Sequence, residues 1–61
     1  MDPDAALANA RDALARFRKS QADGALLHQN YAAIDLTEAF AALDEWLTNG
    51  GFLPASWLPV P

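Results

Sequence analysis

Asp44, Glu45 and Trp46 are the densest group of side chains in this sequence with chemical potential. A carboxylate pair beside an aromatic wall could act in acid–base chemistry or hold a hard cation. Neighbouring helical residues point about 100° apart, so these two carboxylates do not converge. Asp2 and Asp4 would join them in an antiparallel fold. That leaves a weak Ca²⁺ or Mg²⁺ site as one reading and a solvated helix end as the favoured one. His28 is the single histidine and cannot anchor an ordinary zinc site by itself. It also has no Ser, Cys or second His placed beside it for triad chemistry. Gly50-Gly51 ends a helix instead of opening one, so it is no phosphate loop. No catalytic, metal or cofactor residue is assigned, and a non-enzymatic role is expected.

Charge narrows the partners. The formal net charge is −4, and all four basic residues (Arg11, Arg16, Arg18, Lys19) lie in the first nineteen positions. From Ser20 onward stand five acids (Asp23, Asp35, Glu38, Asp44, Glu45) and no base. Such a chain suits neither nucleic acid nor an anionic bilayer. No apolar run approaches the roughly 18 residues of a membrane span. Met1-Asp2-Pro3-Asp4 lacks the basic region of a signal peptide, so a cytoplasmic location is expected.

The helices that would position these groups are legible. Asp2 suits an N-cap, Pro3 the first helical position, and Asp4 the positive end of the helix dipole. Leu7, Ala10, Leu14, Phe17 and Gln21 follow a 3-4 spacing and define one seam, with Asp12 and Arg16 paired at i,i+4. Asp23-Gly24 closes this helix. A second helix starts near Ala25, with a seam of Leu26, Gln29, Ala33, Leu36, Phe40, Leu43 and Leu47. Asp35-Leu36-Thr37-Glu38 has capping-box spacing, so a kink there is the alternative to one continuous helix. The continuous helix is preferred because the heptad phase passes Asp35 without a slip. Asn49-Gly50-Gly51 ends it, after which Phe52 or Leu53 can fold back over the last turn. Pro54 to Trp57 suits one tight turn, and Pro59-Val60-Pro61 should be extended.

The resulting expectation is all-α: an antiparallel hairpin of helices over about 3–21 and 25–48, carrying an aromatic, proline-rich tail over 50–61. At 1.5 Å per residue the helices would span about 27 and 36 Å, so the second would overhang the first and the tail could cover the overhang. All 61 residues would form a single small domain. A chain this size buries only about 60% of its unfolded surface and needs a staple. With no cysteine, disulfides are excluded, and oligomerisation remains. Leu27, Tyr31 and Ile34 form a second apolar stripe, read as a subunit interface in a homodimeric four-helix bundle. Ala5, Ala6, Ala8, Ala13, Ala15, Ala32, Ala39, Ala41 and Ala42 would permit close helix approach.

Five large apolar side chains (Trp46, Leu47, Phe52, Leu53, Trp57) crowd the C-terminal region and must be covered by this chain, a second copy or a partner. The candidate interaction surface is therefore Leu27, Tyr31, Ile34, Trp46, Phe52, Leu53 and Trp57. Trp46→Ala is expected to cost folding, by about 3–5 kcal/mol if Trp46 is fully buried. Trp57 is expected as part of a lid on the open end of the core.

Leu43-Asp44-Glu45-Trp46-Leu47, followed by Gly50-Gly51-Phe52-Leu53-Pro54 and then Trp57, resembles the ends of short uncharacterised proteins of actinobacteria and their phages. The likeness covers about a quarter of the chain well and the preceding helix loosely. Leu58-Pro59-Val60-Pro61 lies outside that pattern. The resemblance implies a phage or actinobacterial setting and transfers no activity. The function expected is a small interaction module that binds or modulates a host or phage protein. The rival is an acidic decoy that mimics a phosphate backbone and blocks a nucleic-acid-binding protein.

Overall fold

In a computed structural model, which describes residues 1–60, the chain is two long helices and a short 3₁₀ turn. Helix α1 spans Pro3–Asp23 and α2 spans Leu26–Thr48, and the 3₁₀ turn is Ala55–Trp57. Ala6 and Leu7, near the start of α1, share a core cluster with Leu43 near the end of α2, so the helices run antiparallel. The expected hairpin is present.

Both helix ends of α1 follow from local chemistry. The Asp2 carboxylate accepts from the Asp4 and Ala5 amides at 3.0 and 3.3 Å, satisfying two of the donors a helix start leaves unpaired. Pro3 occupies the first turn, where its missing N–H costs nothing. At the other end Gly24 adopts φ 68°, a left-handed conformation that favours glycine. The Ala25 amide donates to the Ser20 carbonyl at 2.9 Å and the Gly24 amide to the Gln21 carbonyl at 3.3 Å. This is a Schellman stop. It carries α1 to Asp23, two residues past the sequence expectation. The helices have 21 and 23 residues, so the expected overhang of α2 is largely absent.

Helix α2 passes through Asp35 without a break. The Asp35 carboxylate receives the Arg16 guanidinium at 3.0 Å instead of capping a new helix. A second Schellman stop ends α2. Gly50 has φ 86°, its amide donates to the Leu47 carbonyl at 3.1 Å, and the Gly51 amide donates to the Trp46 carbonyl at 2.8 Å.

The seam between the helices departs from the expected phase. The buried residues are Pro3, Ala6, Leu7, Ala13 and Ser20 on α1, and Ala32 and Leu43 on α2. Ala10, Leu14, Phe17, Leu36, Ala39 and Leu47 are half-buried beside them, whereas Gln21 is exposed. Leu26 and Phe40, which the sequence reading placed in the seam, stand on the surface at 72% and 64% exposure. Small residues face the partner helix because they let two helix axes approach closely, and the larger side chains rotate outward. Ser20 acts as one of these small residues. Its hydroxyl donates to the Arg16 carbonyl, which satisfies it without a tertiary partner.

The tail returns to the start of α1 through a polar contact. The Ala55 amide donates to the Asp4 carboxylate at 2.6 Å. Pro54, just before it, is completely buried, as is Pro3. The turn at Ala55–Trp57 is closed by amides of Trp57 and Leu58 donating to the carbonyls of Pro54 and Ala55, at 2.9 and 3.2 Å. Pro59 and Val60 have no regular structure, and the expectation for Pro61 lies outside the described residues.

Candidate interaction surfaces

Two surfaces collect the apolar side chains that the fold leaves uncovered. The first is the outer face of α2. Leu26, Leu27, Asn30, Ala33, Ile34, Thr37, Phe40 and Ala41 lie along it in steps of one, three and three residues that repeat every seven, which keeps them on one face of a helix. None is charged, and none is buried. Leu27 and Ile34 are 62% and 53% exposed. Tyr31 lies on the edge of this face and is also exposed. The three α2 residues proposed from the sequence therefore lie together, and they gain Leu26 and Phe40, which had been assigned to the seam. The signal for this larger face was present as a competing phase. Ala25, Gln29, Ala32, Leu36, Ala39 and Leu43 also keep a 3-4 spacing, and choosing that phase for the seam sends Leu26 and Phe40 outward.

The second surface is the turn after α2. The Trp46 indole lies directly over Gly51, where a Cβ would fall 2.3 Å from its ring atoms, so no larger residue fits there without moving the indole. The indole N–H donates to the Phe52 carbonyl at 2.9 Å. The rings of Trp46 and Phe52 meet edge to face with centroids 5.3 Å apart, a favourable aromatic geometry. Phe52 thus folds back over the last turn, as the glycine stop suggested. Trp46 is only half-buried, however, because its partners Gly51 and Phe52 cover one side of the ring. The larger cost that depended on full burial of Trp46 therefore does not apply, while the tail does pack back on the open end of the hairpin through Pro54 and the Ala55–Asp4 hydrogen bond and not through Trp57. The buried residue of the tail is Pro54, while Trp57 is 45% exposed and Phe52 and Leu53 are exposed as well.

Polar chemistry is sparse. Arg16 donates through Nε to the Asp12 carboxylate at 2.8 Å and through its other terminus to Asp35. These hydrogen bonds, to Asp12 first and then Asp35, hold the Arg16 guanidinium above its ordinary pKa. The Lys19 ammonium is held above its ordinary value in the same way by its hydrogen bond to Asp23, at 2.8 Å. All these groups are solvated, so the pairs orient side chains more than they stabilise the fold. His28 is exposed on the first turn of α2. Among the described residues no group of three or more His, Cys, Asp or Glu side chains gathers closely enough to hold a metal ion. Asp4, one of the acids considered for such a site, is engaged by the tail instead. Among the described residues no helix is long and apolar enough to cross a membrane.

No family model, curated protein or solved structure matches this chain.

Proposed function

We propose that this chain is a small non-enzymatic helical module that works by binding protein surfaces. Its outer α2 face serves self-association into a four-helix bundle, and its aromatic tail contacts another protein. One observation carries this reading: the fold buries mainly alanine, leucine and proline, while the large side chains Phe40, Ile34, Phe52 and Trp57 remain exposed. Exposed apolar residues gathered on one helix face and one turn are the signature of interaction sites in a soluble domain. The likeness of Leu43 to Trp57 to short proteins of actinobacteria and their phages supports a host- or phage-protein partner in a bacterial cytoplasm.

The decoy reading is weaker for a physical reason. Of the eight acids, Asp2 caps α1, Asp4 holds the tail, and Asp12, Asp23 and Asp35 are paired with Arg16 or Lys19. Glu38, Asp44 and Glu45 remain, which is a thin imitation of a phosphate backbone.

The tail part of the proposal is tested with Trp57→Ala. Because Trp57 is exposed, the variant should melt within about 0.5 kcal/mol of the parent chain. Affinity capture from an actinobacterial host lysate should then lose the partner that the parent retains. If both proteins retain the same partner equally, Trp57 is not a contact and the tail is only structural.

A further inference from the structure

The outer face of α2 has an internal symmetry. Its residues 26, 27, 30, 33, 34, 37, 40 and 41 map onto one another by reflection about the point between Ala33 and Ile34. Under that reflection Leu26 corresponds to Ala41, Leu27 to Phe40, Asn30 to Thr37 and Ala33 to Ile34. A heptad spacing always allows such a mapping, but the chemistry of the pairs is not imposed by it. Large residues fall opposite small ones at both Leu26–Ala41 and Ala33–Ile34. The polar residues fall opposite each other, and an amide can donate to a hydroxyl. The Thr37 hydroxyl already donates to the Ile34 carbonyl at 2.8 Å, which leaves its lone pairs free to accept.

Charge gives the same orientation. Arg18 lies near the loop end of the hairpin beside the Lys19–Asp23 pair, and Asp44 and Glu45 lie near its open end. Arg11 and Arg18 make no ion pair among the described residues. Side-by-side parallel copies would set each acidic end against its like. Antiparallel copies set the acidic end of each against the basic end of the other, which favours encounter and fixes orientation.

The uncovered area is of the right order. The chain exposes 4461 Å², whereas a compact monomer of 6.6 kDa exposes about 3,900 Å². The excess, roughly 600 Å², approaches the roughly 800 Å² that each partner buries in a standard interface. Part of it is the tail, and the rest is a hairpin whose Cα atoms extend only 13 Å in the thin direction, one layer where domains normally pack two.

We infer that a second copy of this chain docks antiparallel on the outer face of α2, about a two-fold axis passing between Ala33 and Ile34. Leu27 of one copy meets Phe40 of the other, Asn30 meets Thr37, and the two Ile34 side chains lie beside the axis. This rests on the self-association proposed above and adds the face, the orientation and the register. A closed two-fold pairing of this kind uses the same patch on both copies and ends at the dimer.

The chain contains no cysteine, so cysteine pairs can report the geometry directly. Sedimentation equilibrium of the unaltered chain at micromolar concentration should give a dimer. A mixture of the variants Leu27→Cys and Phe40→Cys should then oxidise to the mixed disulfide dimer. Leu27→Cys alone should not cross-link, since its two copies would sit about 20 Å apart along the axis at 1.5 Å per residue. Ile34→Glu brings two like charges together at the axis and should weaken the dimer at least about 100-fold. A monomer in the first measurement overturns both this inference and the self-association it rests on. A dimer in which Leu27→Cys cross-links to itself, or in which Ile34→Glu dimerises as tightly as the parent, overturns the inference alone and leaves self-association standing by another face or orientation.

Discussion

On the side that α2 turns to α1 stand Ala25, Ala32 and Ala39, with Leu36 and Leu43 between them; on its outer side stand Leu26, Leu27, Ile34 and Phe40. The inner side carries mostly small apolar residues and the outer side the bulkier ones, yet it is the inner side that is buried. Burial here follows the width of the gap between two helices more than the hydrophobicity of the residue. Two helices gain most contact when their axes come close, and alanine permits that. The bulkier residues have no second helix layer above them within the chain. Buried small residues supply little transfer free energy, so the inner seam alone is a weak foundation for 61 residues.

The largest effect that would separate the two sides is expected at Leu43. It is the large inner residue nearest full burial on α2, at 5% exposure, and Leu43→Ala should cost about 2–5 kcal/mol in a urea titration. A chain of this length commonly has only about 3–9 kcal/mol in all, so the variant should be partly unfolded in water. Ala32→Leu attacks the same seam from the opposite direction. Ala32 is 1% exposed, and the added bulk should force the helices apart at a cost of about 1–3 kcal/mol. A stabilised Ala32→Leu variant would show that the seam is loose and that alanine is not there for close approach. Trp46 lies between the extremes. Half-buried on Gly51 and Phe52, it should lose about 1–3 kcal/mol on change to alanine, less than a core tryptophan. Leu27→Ser should be the smallest change for the hairpin itself, within about 0.5 kcal/mol when measured at concentrations where the chain is monomeric. Its effect should appear instead as weaker association, and a large loss of monomer stability would mean that the outer face is covered by the chain's own tail.

The sequence made the helices, both glycine stops and the hairpin readable because each rests on local chemistry. Asp2 and Pro3 open α1 through caps that involve only their neighbours, and Gly24 and Gly50 stop helices through a backbone conformation that favours glycine. The phase of the seam was harder to read. Leu26 and Phe40 fit one heptad phase and Ala32 and Ala39 fit another, and the first carries more hydrophobic residues. Nothing local states that the second phase lets the backbones come closer. For the same reason the stripe at Leu27, Tyr31 and Ile34 was visible, while its extension to Leu26 and Phe40 was hidden inside the wrong seam. The roles of Pro54 and Asp4 were out of reach altogether, since they depend on a tail meeting the far end of α1.

That meeting has a kinetic consequence. The hydrogen bond from Ala55 to Asp4 joins residues 51 positions apart, whereas the contacts of the hairpin can zip outward from Gly24 with loops that grow step by step. A contact that needs the hairpin already zipped to Leu7 and Leu43 forms late and can open early. During synthesis it cannot exist until the chain through Ala55 has left the ribosome. In that interval α1 and α2 can already lie together while Pro54 is still undocked. The amide of Ala55 is then the natural clock of the molecule: its rate of exchange with solvent reports how often the finished fold revisits its own last step.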